Sequence, residues 1–189
     1  RLEAIGELDN TLIVVSGDHG IPGFPRAKCN LYDIGCEVAL AARWPGHIRP
    51  GRVVEDFVNL MDLAPTFLDA AGVDIPDSMS ANSLLPVLES DESGQVEGER
   101  TWVVMGRERH NAISREGNLP YPMRAIRTRD FLYIHNFEPD RWPVGDPRGL
   151  DDLNAEAPSW ESIWSTTRIA YSDMDGGPTK AWMIHHRAD

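Results

Sequence analysis

The chain has 189 residues, 41% of them hydrophobic and 25% charged, with a formal net charge of −12. This length suffices for one ordinary domain with a sizeable core, and no run approaches the roughly 20 consecutive apolar residues needed to cross a bilayer. The acidic balance argues against a binder of nucleic-acid phosphates, which needs a basic face, but leaves room for an anionic substrate held by a local cationic pocket or a metal.

In chain order, residues 2–8 read as the tail of an amphipathic helix, and Asp9-Asn10 as a turn into a strand over 11–16. That strand is rich in β-branched residues, apolar on both faces and stopped by Gly17, a pattern suited to the interior of a parallel sheet. Pro22, Gly23, Pro25 and Gly35 make 20–35 a loop, with at most one helical turn. Glu37 to Trp44 reads as a second strand, stopped by Pro45-Gly46, and Val53 to Asn59 as a short extended segment. Leu60, Leu63, Ala64, Phe67, Leu68 and Ala71 recur at helical spacing, with Gly72 as the stop. Residues 73–100 are acidic and loop-rich around a short helix at 83–88. Three short strands follow, at 102–105, 123–127 and 131–135, the last two joined by the hairpin-like turn Thr128-Arg129-Asp130. The stretch 139–158 is irregular, and 160–171 reads as an amphipathic helix. The first residues carry no initiator Met and the last no cap, so both ends read as cut.

Two cysteines, Cys29 and Cys36, fit no zinc spacing and read as unpaired thiols. Asp18 and His19 stand between Gly17 and Gly20 just past the end of the first apolar strand. There the chain turns, so both side chains can converge, and a carboxylate with an imidazole can hold a divalent cation such as Ca²⁺ or Mg²⁺. The alternative is a turn-capping aspartate and an ordinary loop histidine. The edge of an open α/β sheet is where ligands collect, which keeps the metal reading in play. Lys28 follows two stiffening prolines, and its ammonium is a candidate partner for a tetrahedral anion; a solvated surface lysine is the plainer alternative. The tryptophans of the last third, Trp142, Trp160, Trp164 and Trp182, can stack on sugar rings or anchor a core.

The ordered set Ser16-Gly17-Asp18-His19-Gly20, Lys28, Asn30-Leu31-Tyr32-Asp33-Ile34-Gly35, Arg43-Trp44-Pro45-Gly46 and Leu60-Met61-Asp62-Leu63-Ala64-Pro65-Thr66 resembles the carboxyl-terminal half of the sulfatases, in the alkaline-phosphatase-like superfamily. The resemblance is dense over 11–76 and looser through Tyr171. It implies an α/β fold: a partial alkaline-phosphatase-like mixed sheet, largely parallel and flanked by helices, then a small antiparallel sheet with a helix. Residues 1–100 would belong to the catalytic α/β domain and 101–189 to a smaller α+β subdomain.

The same resemblance implies that Asp18 and His19 are ligands of one Ca²⁺ ion, Mg²⁺ being the alternative, and that Lys28 bridges the sulfate and the leaving oxygen. The family nucleophile is a formylglycine made within Cys/Ser-x-Pro-x-Arg. Neither cysteine here matches that motif, so by itself this polypeptide is expected to be inactive. Gly106-Arg107-Glu108-Arg109-His110, Tyr121-Pro122-Met123-Arg124 and Ile134-His135-Asn136 resemble the heparan N-sulfatase branch, in which Asn and Arg tend to stand where His19 and Lys28 stand here. His110 is the foremost substrate-contact candidate, a loop histidine bonded to backbone being the alternative. Arg107 and Arg109 are candidates for a sugar carboxylate or sulfate, or else offset the acidic surface; Arg124 reads as a structural ion-pair partner.

The implied activity is hydrolysis of a sulfate ester or sulfamate, on a sulfated small molecule or glycan. A phosphomonoester or phosphodiester hydrolase of the same superfamily is the second reading, and a non-catalytic carbohydrate-binding remnant the third. A periplasmic, extracellular or lysosomal-type compartment is what the family implies.

Overall fold

In the computed structural model, which describes residues 1–148 and 170–186, most of the regular elements follow the hydrophobic pattern. They are β1 (Ile13–Ser16), α1 (Asp33–Cys36), β2 (Leu40–Arg43), α2 (Leu63–Ala70), α3 (Leu85–Glu89), β3 (Trp102–Arg107), β4 (Met123–Thr128), β5 (Leu132–Asn136) and α4 (Pro178–His185). Helices and antiparallel sheets mix, and the expected small three-stranded antiparallel sheet is present with strand order β3-β4-β5. Among the described residues no helix is long and apolar enough to cross a membrane. The described residues divide into two compact units, 1–17, 39–104 and 127–131 in one, and 18–38, 105–126, 132–148 and 170–186 in the other.

In the first unit β1 pairs antiparallel with β2, Ile13 opposite Arg43 and Ser16 opposite Leu40. The apolar run thus marks a strand correctly, but the parallel interior setting expected for it is not what it has here. Val15 is 66% exposed. The reason is general: an apolar run reports what faces a strand is built to cover, whereas strand direction is set by which segment the chain brings alongside.

The motif Leu60-Met61-Asp62-Leu63-Ala64-Pro65-Thr66 opens α2 through a 3-10 turn at Leu60–Asp62. Asn59 accepts from Met61 N (3.2 Å) while Asp62 Oδ2 accepts from Asn59 N (3.1 Å), a reciprocal cap that satisfies orphan amides at the start. Asp62 is buried and also takes Arg100 Nη1 at 3.0 Å; Arg100 in turn donates to Glu97 (2.6 Å) and to Ser83 O (3.0 Å). Thr66, fully buried, donates to Asp62 O (2.6 Å) and accepts from Leu84 N (2.7 Å), fastening α2 to the start of α3. At the other end of α3, Arg52 donates to Val87 O and Leu88 O at 2.9 and 2.8 Å, capping carbonyls the helix leaves unpaired.

The second unit has its core where the sheet meets the loop after β1. Leu31, Tyr121, Met123 and Ala125 are buried together, with Cys36, Met105, Leu132 and Ile134 packed against them. Met123 and Ala125 alternate with exposed Arg124 along β4, the period-2 pattern of a sheet with one covered face. A smaller cluster joins Ala170 and Ile184. Of the helix read over 160–171, residues 160–169 lie outside the described residues. α4, by contrast, was not anticipated from the sequence. It starts at Gly177-Pro178, an ordinary helix opening, and buries Ala181 and Ile184, but two positions run against the pattern: Trp182 is exposed while Lys180 is fully buried.

Replacing Thr66 by Val keeps its shape and leaves the buried Leu84 N–H without a partner. This is expected to lower unfolding free energy by about 1–3 kcal/mol, read from the shift in denaturant midpoint at constant m-value.

Candidate active site

Asp18 and His19 sit where the strand ends, as the glycine-flanked pattern implies. The chain turns immediately, bringing Asp18 Oδ2 to 3.5 Å from His19 Nε2, while His19 Nδ1 lies 2.8 Å from Gly20 O. Asp18's carboxylate is almost wholly exposed (89%). One carboxylate and one imidazole converging from adjacent positions fit part of a Ca²⁺ shell, which takes six to eight mostly oxygen ligands. Among the described residues no group of three or more His, Cys, Asp or Glu stands ready for a metal.

Gly20 serves a different purpose from the one its position first indicates. A Cβ there would stand 2.0 Å from Ile34 O, and one on Gly35 would stand 2.4 Å from Ala27 O. Gly20 N donates to Gly35 O at 3.0 Å, so the two glycines let the chain return onto itself and form the closed loop that carries Lys28. Lys28 N is bonded to Ile21 O within that loop (3.0 Å), and Cys29 takes the left-handed conformation (φ 75°).

Lys28 Nζ projects to Asp175 Oδ2 at 3.0 Å, with a quarter of the lysine side chain exposed. That hydrogen bond raises its pKa above the ordinary lysine value, burial opposing it. Arg107, at the end of β3, is buried; it donates Nη1 to Cys29 O and Nη2 to Asp173 Oδ2 (2.5 Å). Its Nε has no hydrogen-bond partner among the described residues. Burial pulls the Arg107 pKa below its ordinary value, Asp173 working against this.

Asp173, fully buried, collects more than Arg107. Arg115 Nη1 stands 2.9 Å from Oδ2, Ser114 Oγ donates to Oδ1 at 2.5 Å, and His110 Nδ1 lies 3.5 Å from Oδ1. Both guanidinium groups also lie over the Tyr121 ring, at 5.4 Å for Arg107 and 4.6 Å for Arg115. His110 keeps 27% of its side chain open, and its pKa is lowered, by burial first and then by Lys28 and Arg107, with Asp173 resisting. The imidazole is therefore neutral at neutral pH, able to donate from one nitrogen and accept at the other.

Lys28, Arg107 and His110, named from sequence, thus meet in one cluster. Arg115, Ser114, Asp173, Asp175 and Lys180 join them and were not named. Alternation on a short loop (Asp173, Asp175) and a lysine within an apolar stretch were the available signals, but neither says what it faces. Among the described residues the cations Lys28, Arg107, Arg115 and Lys180 stand against the carboxylates Asp173 and Asp175, with Asp18 also acting on Lys28. Cys29 and Cys36 are free thiols, and burial pushes Cys29 up to about 11 and Cys36 upward too, so both stay protonated. Arg124 pairs with Glu108, as expected of a structural partner. Trp142 is exposed and edge-packed on Tyr171 (5.8 Å), and Trp182 stacks on His186 (4.3 Å); Trp160 and Trp164 lie outside the described residues.

Residues 17–153, which hold the Asp18-His19 turn, the Lys28 loop and the β3–β5 sheet, match the family described as N-sulphoglucosamine sulphohydrolase, C-terminal. The chain belongs to this family. It is 36% identical over 132 residues to an ulvan-active sulfatase of Formosa agariphila, covering 68% of this chain and 24% of that protein. It is 34% identical over 147 residues to human N-sulphoglucosamine sulphohydrolase, covering 72% and 27%. A solved structure in complex with its substrate D-glucosamine-2-N,6-O-disulfate superposes with a TM-score of 0.54 at 26% identity, over 93% of this chain and 37% of that one. The chain therefore spans about a quarter of the length of these two curated relatives.

Lys180 supplies a test of the buried charges. Burial draws its ammonium down to about 8 from the ordinary 10.5, Asp175 and Asp173 opposing. Between those values the unfolded chain holds the proton and the folded chain does not, so this residue's contribution to stability rises with pH. The cysteines act in the opposite sense above about 9, because the folded state keeps their protons. Subtracting Lys180→Met cancels them: wild type is expected to gain on this variant in denaturant midpoint from pH 8 to pH 10.

Proposed function

We propose that this chain is the carboxyl-terminal part of a Ca²⁺-dependent sulfatase that hydrolyses a sulfate ester or sulfamate on a sulfated carbohydrate. The convergence of Lys28, His110 and Arg107 on one cationic cluster, inside residues matched by the sulfohydrolase family, carries this reading. In it, residues 1–100 belong to the catalytic α/β domain and 101–189 to a smaller subdomain. The nucleophile is a formylglycine supplied by a part of the protein outside these residues, since neither cysteine lies in Cys/Ser-x-Pro-x-Arg and both are protonated. The reading places the enzyme in a periplasmic, extracellular or lysosomal-type compartment.

Asp18 and His19 would hold the Ca²⁺ ion, Mg²⁺ being the alternative, with further ligands from elsewhere. When bound, such an ion supplies positive charge to the sulfate oxygens. Lys28, raised in pKa and therefore cationic throughout the neutral range, donates hydrogen bonds to a sulfate oxygen and to the leaving oxygen as charge develops there. His110, neutral and partly open, turns Nδ1 toward Asp173 and offers its other ring nitrogen to the sugar or the leaving group. Arg107 lies deeper and adds positive potential from below.

The decisive experiment expresses the full-length protein and follows sulfate release from glucosamine N-sulfate and glucosamine 6-O-sulfate, with the 6-phosphate as control. Release from either sulfated sugar with an inert phosphate supports the proposal; turnover of the phosphate alone overturns it. Lys28→Ala is expected to lower kcat by about 100-fold or more, and unchanged kcat would remove Lys28 from the chemistry.

A further inference from the structure

The loop entering α4 carries two carboxylates two residues apart, and they face different cations. Asp173 is sealed among Arg107, Arg115 and Ser114, whereas Asp175 turns to Lys28, with 38% of its side chain exposed. Asp175 is not a loosely placed surface acid. On one side of it Asp173 is anchored and Met174 is buried; on the other, Lys180 reaches back from α4 to donate to Met174 O at 2.7 Å. The backbone entering Asp175 is thus tied down by buried groups, and the carboxylate lies 3.0 Å from the ammonium.

A lysine ammonium has three donors. Asp175 takes one, and the exposed quarter of the side chain leaves the rest open to an incoming anion. Any sulfate that uses Lys28 must therefore share it with a like-charged carboxylate held nearby. Attraction between Lys28 and Asp175 competes with the sulfate, and repulsion between Asp175 and the sulfate adds to the competition.

We propose that Asp175 is a specificity-determining residue of this site, a built-in counter-anion on Lys28. It weakens the hold on free sulfate, which helps the product leave. It also disfavours a second acidic group beside the sulfate and favours a hydroxyl or amine there, which can donate to the carboxylate. The proposal rests on Lys28 being the sulfate-binding lysine.

The test measures the dissociation constant of inorganic sulfate by calorimetry, and its inhibition constant against a sulfated glucosamine, in the full-length enzyme. Asp175→Asn keeps the shape and removes the charge. It is expected to bind sulfate about fivefold tighter, the scale of a partly exposed ion pair, with KM falling more than kcat changes. Asp175→Glu, which retains the charge, should stay within twofold of wild type. Should the amide disturb the loop, as a melting curve would show, Asp175→Ser takes its place in the same measurement.

A residue that merely held the loop in shape would loosen sulfate binding on replacement, so equal or weaker binding in both neutral variants overturns the proposal. A double-variant cycle locates the effect: in Lys28→Gln, adding Asp175→Asn relieves only the direct repulsion and should gain less than in wild type, and a gain there as large as in wild type overturns the assignment to Lys28. If Lys28→Gln itself binds sulfate as wild type does, the reading of Lys28 fails. If that variant loses sulfate while Asp175→Asn changes nothing, the failure belongs to Asp175 alone.

Discussion

The second unit depends on a single buried carboxylate. Asp173 has no solvent contact, so its charge is tolerable only while Arg107, Arg115 and Ser114 surround it. Those partners come from the end of β3 and from the turn that follows it, and Arg107 passes the constraint on by donating to Cys29 O beside Lys28. Three segments far apart in sequence are held together by a requirement that none of them meets alone. A network of this kind is all-or-none: loss of one member leaves buried charges uncompensated, while the complete set fixes each side chain in one place.

That arrangement also resolves an apparent conflict in the electrostatics. A chain of net charge −12 is a poor host for an anion on average potential. Locally, among the described residues, cations from the Lys28 loop, β3, the 110–115 turn and α4 gather around the carboxylates of Asp173 and Asp175. Depth then separates their roles. Arg107 and Arg115 are buried and committed to Asp173, whereas Lys28 and His110 keep part of their surface open. The buried pair supports and the open pair is available to a ligand.

Elements whose signal is local were readable without coordinates. Apolar spacing and the Gly72 stop located α2; the structure adds Asp62 as both its cap and the buried partner of Arg100. Alternation located β3, β4 and β5 to within two residues. Direction was not readable for β1, whose apolar faces are equally compatible with either pairing until β2 is placed beside it. Nor was α4, since a helix that buries a lysine and exposes a tryptophan runs against the pattern by which amphipathic helices are recognised.

By itself the sequence determined the family, the three-stranded sheet, the turn that joins Asp18 to His19, and the presence of Lys28, Arg107 and His110 as candidate groups. These follow from ordered motifs and from periodicity, which are properties of neighbours along the chain. Only the tertiary structure decided that Arg107 is buried, that Lys28 already has an anionic partner, and that Asp173, Asp175 and Lys180 belong to the same cluster. Charge burial and pairing are properties of neighbours in space. Between Lys28 and Asp175 stand 147 positions of sequence, and no local rule spans that distance.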